Sequence, residues 1–137
     1  MKNINVVAAI IYRASPCLDN VTEIFITQRN TGDYALKWEF PGGKIEIGET
    51  PVEAIVREIQ EELNTTVTVE KFIGTIEYDY PKFHLTMDCF WCGISSGSLQ
   101  LLEHNASRWI TTNELEGIDW LPADVLILDK VREFMLN

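Results

Sequence analysis

The sequence predicts an α+β layered domain, with mixed β-structure forming the core and two helices packed on it. Three observations predict it. Apolar, β-branched runs of strand length recur along the chain. Two segments carry helical periodicity behind clear N-terminal caps. No repeat, linker or low-complexity stretch separates them. At 137 residues the chain suits one domain, residues 1–137, and is short for two.

The elements follow in order. Asn5 to Tyr12 is an apolar run and reads as a buried strand. Ala14 to Asn20, with Ser, Pro, Asp and Asn, reads as a turn. Val21 to Thr27 reads as a second strand, hairpin-paired with the first. Asn30 to Lys37 is a polar loop. Trp38 to Pro41 is short and extended, because a residue before proline is pushed out of the helical region. Gly42-Gly43 then permits a tight turn. Thr50, Pro51 and Glu53 open a helix with a capping box. Val52, Ile55, Val56, Ile59 and Leu63 form its apolar stripe, and Asn64 is a suitable left-handed stop. Residues 67–69, 72–80 and 83–94 read as strands, then 107–110 as a short one. Thr112 to Leu115 reads as a brief helical turn. Pro122 opens a final helix whose apolar side is Val125, Leu126, Ile127, Leu128 and Val131.

Composition narrows the function. With 21 acidic and 11 basic side chains the net charge is −10. So acidic a chain does not bind a nucleic acid polymer through its general field. An anion must be met locally, through a metal ion or a few placed cations. Met1 to Asn5 lacks a signal-peptide design, because Val6 to Tyr12 runs into Arg13 at strand length. No segment has the length to span a bilayer, so no membrane partner is expected. Three cysteines (Cys17, Cys89, Cys92) are an odd number, which favours reduced thiols and a cytoplasmic setting. Cys89 and Cys92 have CxxC spacing, but residues three apart on a strand face opposite sides, so both read as packing residues.

The chemistry lies between Gly43 and Thr65. Glu58, Glu61 and Glu62 occupy i, i+3 and i+4, with Cβ atoms roughly 5–6 Å apart on a helix. Like charges so placed repel, and the more so where solvent is excluded. Their stripe adjoins the apolar one, so they flank a groove. Hard divalent cations prefer oxygen ligands, and Mg²⁺ commonly joins a few carboxylates to substrate phosphates. Arg57 can pair with Glu53 or Glu61, or reach back to Glu49, in an orienting role. Against this, most acidic helix runs are solvated faces.

The segment resembles the Nudix box: Gly, five residues, Glu, seven residues, then Arg-Glu-aliphatic-any-Glu-Glu-any-Gly-aliphatic. Gly43, Glu49, Arg57, Glu58, Ile59, Glu61 and Glu62 match. Asn64 and Thr65 depart from its last two positions and remove no metal-binding side chain. The box thus spans residues 43–65. Outside it, residues 24–29 and 39–46, together with Trp109 and Leu121-Pro122-Ala123-Asp124, are similar to the MutT-like branch. The resemblance implies a Nudix fold, a mixed β-sheet core sandwiched between helices. It implies hydrolysis of a nucleoside triphosphate to monophosphate and pyrophosphate with Mg²⁺, or Mn²⁺ as substitute.

Carried over by position, Glu58, Glu61 and Glu62 are implied metal ligands, with the Gly42 carbonyl and Glu103. Glu103 binds metal or serves as general base; Glu58 competes for the base role. Arg29 and Lys44 are the implied phosphate partners, Lys44 having an ordinary surface role as its alternative. Glu39 and Phe40 line the implied nucleotide pocket, and Tyr34, Trp38, Tyr80 and Phe83 are candidate stacking residues. Asp124 is the specificity candidate. Ionised, it only accepts, suiting the cytosine amino group or the guanine N1–H and N2 edge; protonated, it also donates. Its structural alternative is a helix cap. His84 reads as a packing or hydrogen-bonding residue; His104, adjoining Glu103, can approach the site, with a loop bystander as its ordinary alternative. The substrate readings are an oxidised purine nucleotide such as 8-oxo-dGTP, or CTP, dCTP and 5-methyl-dCTP. A Nudix-derived sensor that binds a nucleotide without cleaving it is the reading from another class, and an acidic interaction surface a third. Monomer and homodimer are both open.

Overall fold

Alternation along β1 (Lys2–Ala14) divides the core into two clusters. Ala8 and Ile10 face one side of the sheet; Val7, Ala9 and Ile11 face the other. The computed structural model describes residues 1–137. β2 (Thr22–Gln28) pairs antiparallel with β1, Ile11 opposite Phe25, so the expected hairpin is present. β6 (Phe83–Ser96) runs parallel to β1 on its other side, from Lys2 opposite Phe83 to Ile11 opposite Cys92. β5 (Thr66–Tyr80) forms the outer edge against β6. The sequence reading split β5 in two near Glu70-Lys71. Instead it is one strand, whose register shifts between Val69 and Lys71 and between Phe72 and Gly74. Bulges there absorb the break in alternation.

The site depends on where β1 and β2 separate. Continuing their register would set Ala9 opposite Thr27, yet the two strands have parted by then. A wedge of chain fills the gap. β3 (Trp38–Glu39) pairs with the end of β2, Thr27 opposite Glu39, while β4 (Gly42–Lys44) pairs with β1, Ala8 opposite Gly42. Between them, the Ala9 N–H donates to the Pro41 carbonyl at 2.7 Å. Gly42-Gly43 is therefore strand, not the expected turn, and neither glycine has positive φ. Glycine is required for closeness. A Cβ at Gly42 would collide with the Val7 carbonyl, and one at Gly43 with the Glu58 carboxylate. β7 (Ala106–Ile110) extends the sheet beyond β2.

α1 (Pro51–Leu63) covers one face of the sheet. Its capping box is complete: the Glu53 N–H donates to the Thr50 hydroxyl, and the Thr50 N–H to the Glu53 carboxylate. Asn64 ends it at φ 51°. Ala54, Ile55, Ile59 and Leu63 are fully buried. Val52 and Val56, expected in that stripe, are exposed at 44% and 37%. The buried arc is narrow because its inner edge is taken by Glu62, itself buried. On the other face lie a 3-10 turn (Thr112–Gly117), α2 (Pro122–Val125) and α3 (Leu128–Leu136). The expected single final helix is thus two, interrupted at Leu126-Ile127, and Val125 and Leu126 face solvent. The expectation of helices on both faces is met. Cys89 and Cys92 are buried in opposite clusters, and burial holds both thiols well above their usual range.

Full burial of a large aliphatic side chain contributes about 1.5–3 kcal/mol, with a cavity term added on truncation. Ile59→Ala is expected to lower unfolding free energy by about 2–5 kcal/mol. Val52→Ala should change it by less than about 1 kcal/mol in the same urea titration.

Candidate active site

Helical geometry sets Glu58, Glu61 and Glu62 in a row, and the packing of α1 gives each a different environment. Glu62 is buried and Glu58 is mostly covered, at 15% side-chain exposure, whereas Glu61 is 55% exposed. Arg57 organises them. Its Nε donates to Glu49 at 2.5 Å, Nη1 to Glu58 at 2.9 Å and Glu61 at 3.2 Å, and Nη2 to Glu49 at 3.0 Å and the Lys44 carbonyl at 2.9 Å. Of the three expected partners, Glu53 is absent because the capping box takes its carboxylate. One planar guanidinium thereby ties the loop before α1 to the middle of the helix. It holds the Glu49 carboxyl below the ordinary range. Glu58 is raised, burial outweighing Arg57, with Glu61 and Glu103 adding to the rise.

Glu62 is the extreme case. Burial first, then the charges of Glu58, Glu39 and Glu103, push it up to about 9 against the opposing Gly42 backbone. Its Oε2 is buried without a hydrogen-bond partner. As placed, no three acidic, histidine or cysteine groups converge on one point at ligation distance. The donor set is nonetheless suited to a hard divalent cation. It is all carboxylate, half withdrawn from water, and includes an oxygen with nothing else to bond.

Beside the acidic row, a cavity of about 270 Å³ opens between the wedge, β6 and α2. Its wall includes Arg29, Glu39, Phe40, Gly42, Gly43 and Asp124, with Tyr34, Tyr80, Phe83, Leu85 and Met87 supplying apolar surface. Trp38, expected as a stacking candidate, is not part of it; the Arg108 guanidinium lies over its ring. Arg29 Nε donates to Glu39 at 3.1 Å. Lys44 keeps its side chain at the surface and brings its carbonyl to Arg57. Asp124 Oδ2 accepts the Phe40 N–H at 2.9 Å, a bond joining α2 to the wedge. Its carboxylate therefore serves β-structure rather than capping a helix. Burial, with the Glu39 charge adding, pushes Asp124 up to about 8.

The family model described as the NUDIX domain matches residues 3–136. The chain belongs to the Nudix family. It is 37% identical over 111 residues to an 8-oxo-dGTP diphosphatase of Escherichia coli strain K12, covering 80% of this chain and 86% of that one. It is 34% identical over 130 residues to a CTP pyrophosphohydrolase of the same strain, covering 94% and 91%. The solution structure of the E. coli ORF135 protein superposes with TM-score 0.79 at 33% identity, covering 98% of this chain and 91% of that one. No helix of this Nudix protein is long and apolar enough to cross a membrane.

Glu103 sits exposed on the loop between β6 and β7, and its charge reaches both Glu58 and Glu62. Its neighbour His104 follows the first of its two expected alternatives. It is no loop bystander: its side chain is only 8% exposed, with Nε2 3.9 Å from Glu39 Oε2. Nothing in the local sequence separates a buried loop histidine from an exposed one; the adjacent Glu103 was the one available hint. Burial, then Arg29, lower its pKa, so the ring is neutral near pH 7. His84 has the hydrogen-bonding role expected of it, between Asp79 at 2.6 Å and Glu77 at 3.2 Å.

Asp124 has a pH consequence. Its folded pKa, about 8, lies above an unfolded value near 3.9, so its stabilising contribution is full below pH ~4 and is lost as pH rises through about 8. Asp124→Asn is expected to flatten that decline, which amounts to on the order of 1–4 kcal/mol, in urea denaturation midpoints followed from pH 5 to 9.

Proposed function

We propose that this Nudix protein hydrolyses a nucleoside triphosphate to the monophosphate and pyrophosphate, with Mg²⁺ bound at the α1 carboxylates and Mn²⁺ as a substitute. The observation that carries this is the buried, unpartnered Glu62 oxygen beside Glu58, next to a cavity large enough for a base. Two adjacent carboxyl groups half withdrawn from water are what a cation site requires and what a solvated helix face does not contain.

Glu58, Glu61, Glu62, Glu103 and the Gly42 carbonyl would hold the ion. When bound, it supplies positive charge that neutralises phosphoryl oxygens and acidifies water. The protein does the rest. Arg57 locks Glu49, Glu58 and Glu61 in place, so the carboxylates do not reorganise during the reaction. Glu58 and Glu103 compete to accept the proton of the attacking water, and both reach the same carboxylate row. Arg29, the cavity's own cation, contacts phosphate; Lys44, exposed on β4 and outside the cavity wall, is the second phosphate candidate, with an ordinary surface role as its alternative. The base lies in the cavity against Phe40 and the Tyr34, Tyr80 and Phe83 rings, its polar edge read by Asp124. Held near pH 8, Asp124 is neutral at pH 7 and can donate as well as accept.

An oxidised purine nucleotide, 8-oxo-dGTP, is the first substrate reading, in line with the 37%-identical relative. The cytidine reading (CTP, dCTP or 5-methyl-dCTP) draws on the longer match, 94% of the chain. Catalytic efficiencies on a panel of normal and oxidised triphosphates, with products identified, decide between them.

Glu58→Gln and Glu62→Gln are each expected to lower kcat about 10²–10⁴-fold under saturating Mg²⁺. The metal-free Tm of Glu62→Gln should be nearly unchanged, since the carboxyl it replaces is already neutral and its Oε2 has no partner to lose. Full turnover in the double variant, or turnover indifferent to Mg²⁺, would refute the assignment.

A further inference from the structure

We propose that Tyr80 is a positioning residue for base selection: its hydroxyl caps α2 from the end of β5 and so fixes where Asp124 meets the base. The inference rests on the reading of Asp124 given above and adds to it a residue outside the box. α2 has only four residues, Pro122–Val125. A helix so short has no stability of its own, because nucleation is costly and too few bonds follow it. Its own sequence does not cap it either. Leu121 stands at the N-cap and has no side-chain oxygen, and the Asp124 carboxylate is committed to Phe40. Bonds to other segments therefore set its place. The Leu121 N–H donates to the Trp38 carbonyl at 2.8 Å, and the Phe40 N–H donates to Asp124 Oδ2 at 2.9 Å. These two hold α2 to the wedge. The Ala123 N–H donates to the Tyr80 hydroxyl at 3.1 Å, which holds it to the far end of β5.

The hydroxyl is itself fixed in place. Tyr80 is 5% exposed. Its ring meets Tyr34 edge-on at 5.3 Å and Tyr78 at 4.7 Å, and packs against Phe83 at 5.1 Å. Burial pushes its pKa up to about 12, so the phenol stays neutral and keeps its proton. Phenylalanine would supply the same ring to this aromatic cluster. What tyrosine adds is one oxygen, and the Ala123 N–H uses it. Ala123 is itself buried, and without that oxygen its N–H would lose its partner in the interior, which is destabilising. The four-residue helix yields more readily than the sheet, and Asp124 is the next residue along. With Oδ2 bonded to Phe40, Oδ1 is the atom left for a base edge. Hydrogen bonds keep their strength over a range of only about half an ångström, so a small shift of α2 weakens discrimination between bases.

Tyr80→Phe tests this in the full chain, since it keeps the ring and deletes the hydroxyl. Amide hydrogen exchange needs neither metal nor nucleotide. Exchange at Ala123 should quicken at least about tenfold, with the β1 amides as protected as before. With Mg²⁺, the ratio of catalytic efficiencies for 8-oxo-dGTP and CTP should move at least about fivefold towards unity, through KM more than through kcat. A purely structural role would not move that ratio. Asp124→Ala should move it as far, and the double variant no further, because the hydroxyl acts through that carboxylate. Three results would overturn the proposal while the reading of Asp124 stands: unchanged exchange at Ala123, a ratio moved by Asp124→Ala and not by Tyr80→Phe, or shifts that multiply in full in the double variant. A ratio unmoved by Asp124→Ala would overturn the reading of Asp124, and this inference with it.

Discussion

Withdrawing carboxylates from water beside one another is costly, and α1 does so with Glu58 and Glu62 against the backbone of Gly42 and Gly43. The rest of the site can be understood as what makes this arrangement stable enough to fold. Arg57 gathers Glu46, Glu49, Glu58 and Glu61 around one guanidinium, so a single positive charge serves four negative ones. Glu62 is left outside that network and responds by holding its proton to about pH 9. A buried carboxyl that remains neutral avoids most of the desolvation cost. The same group becomes an anionic ligand once a cation offers a better partner than the proton.

The second constraint is geometric. β1 and β2 begin as a hairpin and then separate, and the wedge carrying Glu39, Phe40 and Gly42 enters between them. Backbone hydrogen bonding on both sides leaves the wedge little freedom. It sets the carboxylate row on one side and the cavity on the other, joined through Glu39. Asp124 closes the arrangement from α2 by accepting the Phe40 N–H. A residue near the C-terminus and one from the first third of the chain thus form a single wall.

The local features were legible because their causes are local. The capping box, Pro51 at the first helical position and the left-handed Asn64 involve residues a few positions apart. So does the i, i+3, i+4 carboxylate row. The strands at 5–12 and 21–27 were legible from side-chain branching. Val52 and Val56 were misassigned for a reason of the same kind. Periodicity shows which residues share a helical face but not how wide a strip the partner sheet covers. Leu126 and Ile127 misled likewise, since an apolar run does not reveal where the backbone breaks.

Local order in this chain therefore follows from neighbouring residues: the α+β class, the helix ends, the acidic spacing and the opposite-facing cysteines could all be derived from short-range stereochemistry. Contacts between distant segments required the folded chain. That β1 and β2 part, that Gly42 is demanded by the Val7 carbonyl, that Asp124 bonds Phe40, and that His104 is buried beside Glu39 are each pairings across tens of residues. Burial at such points is a property of the assembled layers, and no sequence window contains both partners.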